Sequence, residues 1–152
     1  MNCLSHLIER VLRPRQVRVE DPFAPHVTGN EISAAFDAME HVRYRTWLVV
    51  TRNPARMRTY LDIWEISGVW NSPGHIWVGV PVSTEADLDL VDELIETPAR
   101  TRFVEMMAEV PLGHRALCPD CGGGIVRNCR PCRGTGRAVH HVMRHGKMEE
   151  LS

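Results

Sequence analysis

Two C-x-x-C pairs, Cys118/Cys121 and Cys129/Cys132, stand seven residues apart near the C-terminal end of the chain. Each pair suits a tight turn that brings two thiolates to one metal at about 2.3 Å, and two such turns complete a tetrahedral set. Four sulfur ligands leave no open coordination position, so the expected group is one structural zinc ion rather than a catalytic one. Iron could occupy the same ligand set, but zinc is the default for so short and polar a segment. Gly122, Gly123, Gly124, Gly134 and Gly136 flank the pairs and permit the backbone conformations that such turns require. A thioredoxin-type reading fits poorly, because that chemistry uses a single pair between a strand and a helix. Cys3 is the fifth cysteine, and it reads as a free thiol. Paired spacing with one cysteine left over fits a reducing compartment better than a disulfide framework.

The rest of the chain alternates between two periodicities. Gln16 to Glu20 reads as a strand, broken by Asp21-Pro22. Thr46 to Thr51 and Ile76 to Val80 are continuous β-branched apolar runs, the pattern of strands buried on both faces. Arg102 to Met107 is a further strand candidate weakened by its glutamate and methionines. Between these lie helical patterns. One runs from about Asn30 to His41 with Ile32, Ala35, Phe36 and Met39 on one face and Asn30 as its cap. A second starts at Asn53-Pro54 and uses Met57, Tyr60, Leu61 and Trp64. A third is capped by Ser83 or Thr84 and carries Leu88, Val91, Leu94 and Ile95. A short amphipathic helix over Leu4 to Leu12 ends at Pro14.

Strands alternating with helices predict an α/β fold with parallel strands. Four strands cannot close a barrel, so the expectation is a partial (β/α) barrel or an open parallel sheet with helices, followed by a small C-terminal four-cysteine zinc knuckle. The expected division is an α/β half-barrel-like domain over residues 1–113 and a zinc-binding basic tail over 114–152. Exposed parallel edges call for cover, which a homodimer would provide. No apolar run reaches the length of a membrane span and the N-terminus lacks a secretory pattern, so the expected location is the cytoplasm, or the host cytoplasm for a phage-encoded chain.

Charge is unevenly divided. Residues 1–113 carry 11 arginines against 16 acids, a balance of −5, whereas 114–152 carry six arginines and Lys147 against three acids, a balance of +4. Arg127, Arg130, Arg133 and Arg137 surround the cysteines, which suggests phosphate contacts on a zinc-braced scaffold. The tail has no Trp, Tyr or Phe for base stacking, so a nucleic-acid interface there would rest on backbone electrostatics, and a protein partner is the other reading. His114, His140, His141 and His145 lie in the same stretch. At the predicted strand C-termini, where parallel sheets place ligands, stand Glu20, Asp21, Thr51, Arg52 and Ser83. Their alternative role is capping and loop solvation.

The segments Asp21-Pro22-Phe23, Trp47 to Met57, Trp77-Val78-Gly79-Val80, Thr97-Pro98-Ala99, Arg102-Phe103-Val104 and Pro111-Leu112-Gly113 together resemble a family of phage and bacterial proteins of unknown function that look like radical S-adenosylmethionine enzymes. The resemblance covers about Val17 to Gly113 and implies a partial barrel. Such enzymes hold an iron–sulfur cluster on three closely spaced N-terminal cysteines, and here Cys3 alone precedes Cys118. No iron–sulfur cluster is therefore expected, and the chain reads as non-catalytic unless a separate cluster-bearing chain completes it. Cys129-Arg-Pro-Cys132-Arg-Gly134-Thr-Gly136 resembles one repeat of the cysteine-rich domain of J-domain chaperones. Those domains pair several repeats, so a chaperone role does not follow.

Overall fold

The structure, a computed structural model, describes residues 15–122, 129, 132 and 136–151. The helix expected over Leu4 to Leu12, Cys3, Arg127, Arg130 and Arg133 lie outside the described residues. The described elements in chain order are β1 (Gln16–Val19), α1 (Gly29–His41), β2 (Thr46–Val50), α2 (Pro54–Ile66), β3 (Ile76–Val82), α3 (Leu88–Ile95), β4 (Arg102–Met106), β5 (His141–Arg144) and β6 (Lys147–Glu150). None of the described helices is long and apolar enough to cross a membrane.

Local chemistry sets the helix starts. The cap of α1 is Thr28 rather than Asn30: its hydroxyl accepts from the Glu31 N–H at 3.3 Å while the Glu31 carboxylate accepts from the Thr28 N–H at 2.7 Å. That reciprocal box satisfies two N–H groups that an Asn30 cap would leave open. Asn53 caps α2 through the Arg56 N–H, with Pro54 in the first turn where its missing N–H costs nothing. Ahead of α3, the Asp87 carboxylate accepts from the N–H groups of Ser83 and Thr84 at 2.8 and 3.0 Å.

The six strands lie in chain order, the first five parallel and β6 antiparallel to β5. Chain order means that every crossover steps in the same direction. Right-handed crossovers then place their connections on one face, as in a barrel wall and unlike a doubly wound sheet. Ile32, Phe36 and Met39 of α1, Met57 and Leu61 of α2, and Val91 and Leu94 of α3 form one core with Val49, Val78, Val80, Val82 and Val104 of the strands. The opposite sheet face carries a second cluster of Leu48, Val50, Phe103 and Met143, flanked by Trp77 and Met148.

Two contacts on that second face reveal its curvature. Arg18 on β1 reaches Glu105 on β4 through two bonds of 2.9 and 3.1 Å. Three strand spacings separate these strands by about 14 Å on a flat sheet, where both side chains would have to lie flat across β2 and β3 to meet. Trp77 on β3 stacks on His141 on β5 with ring centroids 4.4 Å apart, against about 10 Å for two flat spacings. The sheet is a curled half-barrel with this face inside and the helices outside.

The stretch that composition marks as a basic tail supplies β5 and β6 of this sheet. Their hairpin turns on His145 and Gly146, both at positive φ (51° and 74°), the two-residue turn whose twist matches the strands it joins.

Gly79 sits opposite Phe103 on the inner face. A Cβ there would lie 2.6 Å from the Phe103 carbonyl oxygen and 2.8 Å from its ring, and the carbonyl belongs to the β4 backbone, so it cannot move aside. Gly79→Ala should lower stability by about 1–3 kcal/mol, measured by urea unfolding. An unchanged midpoint would mean that the inner face is looser than its geometry.

Candidate metal centre

Two backbone arms bring the cysteines together. The first leaves β4, passes a 3-10 turn at Gly113–Ala116 and reaches Leu117. The second returns from Gly136 toward β5. They pair as an antiparallel bridge between Leu117 and Arg137, with the Ala138 N–H donating to the Ala116 carbonyl at 3.0 Å and the Cys118 N–H to the Gly136 carbonyl at 2.9 Å. Gly136 adopts φ 72°, and Gly122, at φ 59°, closes the first cysteine turn by donating to the Cys118 carbonyl at 2.9 Å. Left-handed values of this kind are the reason glycine is needed at both positions.

All four Sγ atoms lie within 4.8 Å of one another. Two of the approaches, Cys118 to Cys129 and Cys121 to Cys132, are both 3.6 Å. A tetrahedron with bonds of about 2.3 Å has sulfur–sulfur edges of about 3.8 Å, so the donor set fits one metal ion. A disulfide would need about 2.05 Å. Cys118 and Cys132 are each 1% exposed, while Cys121 and Cys129 are partly exposed. Among the described residues this is the one group of three or more Cys, His, Asp or Glu side chains placed to share a metal.

The second arm is tied to the sheet through Arg102, which is 4% exposed. Its guanidinium donates to the Thr97 carbonyl at 2.8 and 3.1 Å and to the Ala138 carbonyl at 3.4 Å. Its backbone N–H donates to His140 Nδ1 at 3.1 Å, and the His140 N–H returns to the Arg102 carbonyl at 2.9 Å. Burial, helped by the Arg102 charge, pushes the His140 imidazole down to about 4, which keeps Nδ1 an acceptor at neutral pH.

The histidines of this stretch are dispersed rather than gathered on the cysteines: His140 holds Arg102, His141 stacks on Trp77 and His145 forms the hairpin turn. Arg137 is partly buried in the inter-arm bridge. Arg115 and Arg144 are paired, the first with Asp92 at 2.8 Å and the second with Glu109 and Glu149 at 2.9 and 2.8 Å.

Glu20, Asp21, Thr51, Arg52 and Ser83 sit at the C-terminal ends of β1, β2 and β3. Asp21 accepts from the Phe23 N–H at 2.9 Å and the Arg52 N–H at 3.3 Å, tying two loops together. Thr51 is 1% exposed and its hydroxyl accepts from the Asn53 N–H at 2.9 Å. The Ser83 N–H is held by Asp87, while Glu20 and Arg52 are exposed. Sequence reasoning missed the Arg18–Glu105 pair inside the half-barrel. Its signal was present, since a glutamate between Val104 and Met106 in an otherwise buried strand demands a cationic partner.

Without metal, desolvation and the neighbouring sulfurs push the Cys129 thiol up to about 12. A raised thiol pKa means that the folded arm keeps a proton which the unfolded chain releases from about pH 8.5. Stability of the metal-free arm is therefore fully present below about pH 8.5 and is lost as pH rises toward 12. A metal-loaded centre already holds thiolates and escapes this loss. Circular dichroism of metal-free protein should already fall below that of zinc-loaded protein at about pH 7, and the gap should widen toward about pH 11; a gap that does not widen would contradict the assignment.

No curated protein and no solved structure matches the chain. A family described as "Protein of unknown function (DUF5131)" matches residues 10–114, a span that takes in β1 to β4 and stops before the first cysteine of the centre. With more than half of its length covered in this way, the chain belongs to the DUF5131 family.

Proposed function

We propose that Cys118, Cys121, Cys129 and Cys132 hold one structural zinc ion, and that the protein is a non-catalytic binding module whose zinc-braced arms contact nucleic acid. The closed four-sulfur set carries this reading: with every coordination position filled by protein, the ion has none for water or substrate. In support, Asp21, Thr51 and Asp87 at the strand ends are engaged in capping loops. The cations for phosphate contact are Arg127, Arg130, Arg133 and Arg137, between and just beyond the cysteine turns. A protein partner is the outcome if nucleic acid fails.

A second reading has one observation in its favour. The sheet curls as a half-barrel and ends at β1, which among the described strands pairs on one side only, with β2. A radical S-adenosylmethionine-related fragment completed by a separate cluster-bearing chain, or by a second copy of this chain, would dock along that edge.

Purified protein should carry about one zinc per chain. Its retention on DNA or RNA should weaken steeply with salt, because each phosphate contact releases counterions. Replacing Arg127, Arg130, Arg133 and Arg137 with alanine should lower affinity uniformly across sequences and flatten the salt slope at unchanged zinc content. No retention at low salt would overturn the nucleic-acid reading, and absence of metal from protein prepared without chelator would overturn the zinc reading.

A further inference from the structure

Between α1 and the C-terminal end of α2, the helix side of the protein carries a slot of about 200 Å³ lined by Phe36, Trp64, Val69 and Trp70, with Asp37 and Glu40 on its α1 side. Its walls are fixed. The Phe36 ring meets Trp64 and Trp70 edge-on, with centroids 5.3 and 5.7 Å apart. Trp70 Nε1 donates to the Pro98 carbonyl at 2.6 Å, and the N–H groups of Val69 and Trp70 both donate to the Trp64 carbonyl, at 2.8 and 2.9 Å. The slot is therefore formed before anything enters it, which lowers the ordering cost of binding.

Apolar surface continues beside it. Ile63, Ile66 and Val69 are 59%, 88% and 61% exposed, half of the six large apolar side chains left open among the described residues. Met57 and Leu61 supply the buried face of α2, so Ile63 and Ile66, one turn apart on its solvent side, add nothing to the core. A lone exposed isoleucine is ordinary, but three open aliphatic residues in the short stretch 63–69, the last of them lining an aromatic slot, mark an interaction surface. The two carboxylates are open as well. Neither Asp37 nor Glu40 has a side-chain partner among the described residues: His41 Nδ1 sits 2.6 Å from the Asp37 backbone carbonyl rather than on its carboxylate, Arg45 lies over Tyr44, and Arg43 makes no ion pair with either acid. The last turn of α2 holds no basic residue.

We propose that this slot is the docking site for a segment of a partner protein that presents one large apolar side chain flanked by lysine or arginine. The apolar anchor fills the slot against Phe36, Trp64 and Trp70, the residues beside it cover Ile63 and Ile66, and the flanking cations pair with Asp37 and Glu40. Size and charge select this occupant. A slot of about 200 Å³ lies below the about 300–1,000 Å³ of small-molecule pockets and suits a single side chain. An anionic membrane surface or a nucleic-acid backbone would meet two unpaired carboxylates and be repelled. Two copies of this chain docking through the same patch would set Asp37 and Glu40 of one against those of the other. A cationic amphipathic segment of another protein meets both demands, with the aromatic slot as its hot spot. The surface belongs to the first two crossovers, and α3 stands between it and the cysteine crossover, so it rests on neither the zinc nor the nucleic-acid reading.

The test titrates isotopically labelled full-length protein with a short helical peptide carrying one leucine anchor among lysines and alanines, followed by nuclear magnetic resonance. Two control peptides replace the lysines with glutamate or the leucine with alanine. Expected are saturable shifts of the Asp37 and Val69 amides and the Trp64 indole, an affinity that falls as salt rises, and binding at least about tenfold weaker for either control. Asp37→Lys/Glu40→Lys should weaken the lysine peptide by a similar factor and strengthen the glutamate peptide. Ile66→Ser, at a position 88% exposed, should weaken the leucine peptide while leaving the urea midpoint unchanged, which separates docking from folding. No shifts at the slot, equal binding of either control peptide, or shifts centred on the acids of α3 would each overturn the proposal. Concentration-dependent shifts of the same residues without peptide would assign the patch to a second copy, and patch-dependent binding to vesicles of anionic lipid would assign it to a membrane; either result also overturns it.

Discussion

A parallel strand cannot follow its neighbour through a tight turn; the chain must cross back over the sheet, and the crossover needs a core of its own to stay packed. The first three crossovers meet this demand with α1, α2 and α3, whose apolar faces join the main core. Between β4 and β5, residues 107–140 place the four-cysteine centre where a helix would stand. Glycine-rich and polar around the cysteines, this stretch adds only Val110, Leu112 and Val139 to the main core, so a metal ion on the four sulfurs would be the physical substitute for a helix core. The Leu117–Arg137 bridge and the Arg102 guanidinium carry that constraint to the sheet. The fifth and sixth strands follow directly from this stretch.

Inside the half-barrel the constraints are of another kind. Arg18 and Glu105 close a chord across the inner face, but the Arg18 side chain is 52% exposed, so solvent screens the pair and its contribution to stability is small. Its value lies in geometry: a glutamate that is only 8% exposed would be strongly destabilising without a cation, and β1 is placed where it can supply one. Gly79 lets Phe103 lie against the sheet, which lets the inner face pack on itself at β3 and β4.

How far the sequence reveals this depends on where the structural signal is local. Thr46 to Val50 and Ile76 to Val82 are legible as strands because burial on both faces demands uninterrupted apolar residues, and Asn53-Pro54 announces α2 because that dipeptide satisfies a helix start. Thr28 was hidden behind Asn30, since both residue types cap and only the reciprocal partner, Glu31, distinguishes them. β5 and β6 were missed for a physical reason: His141 to Arg144 has only two apolar residues, Lys147 to Glu150 is a charged edge strand, and their pairing is specified by β4 and by the His145-Gly146 turn rather than by apolar periodicity. Glu105 weakened the strand reading because its partner lies 87 residues away, beyond any local pattern. The cysteine spacing, by contrast, announced its own cluster.

The central claim is that metal at the cysteine centre holds β5 and β6 in the sheet. Amide hydrogen exchange of metal-loaded protein, before and after a strong chelator, tests it most directly. The account predicts that Val142 and Met143 in β5 lose protection together with Cys118 and Ala138, while Val49 in β2 and Val78 in β3 keep theirs. Undiminished protection of β5 in fully demetallated protein would contradict it.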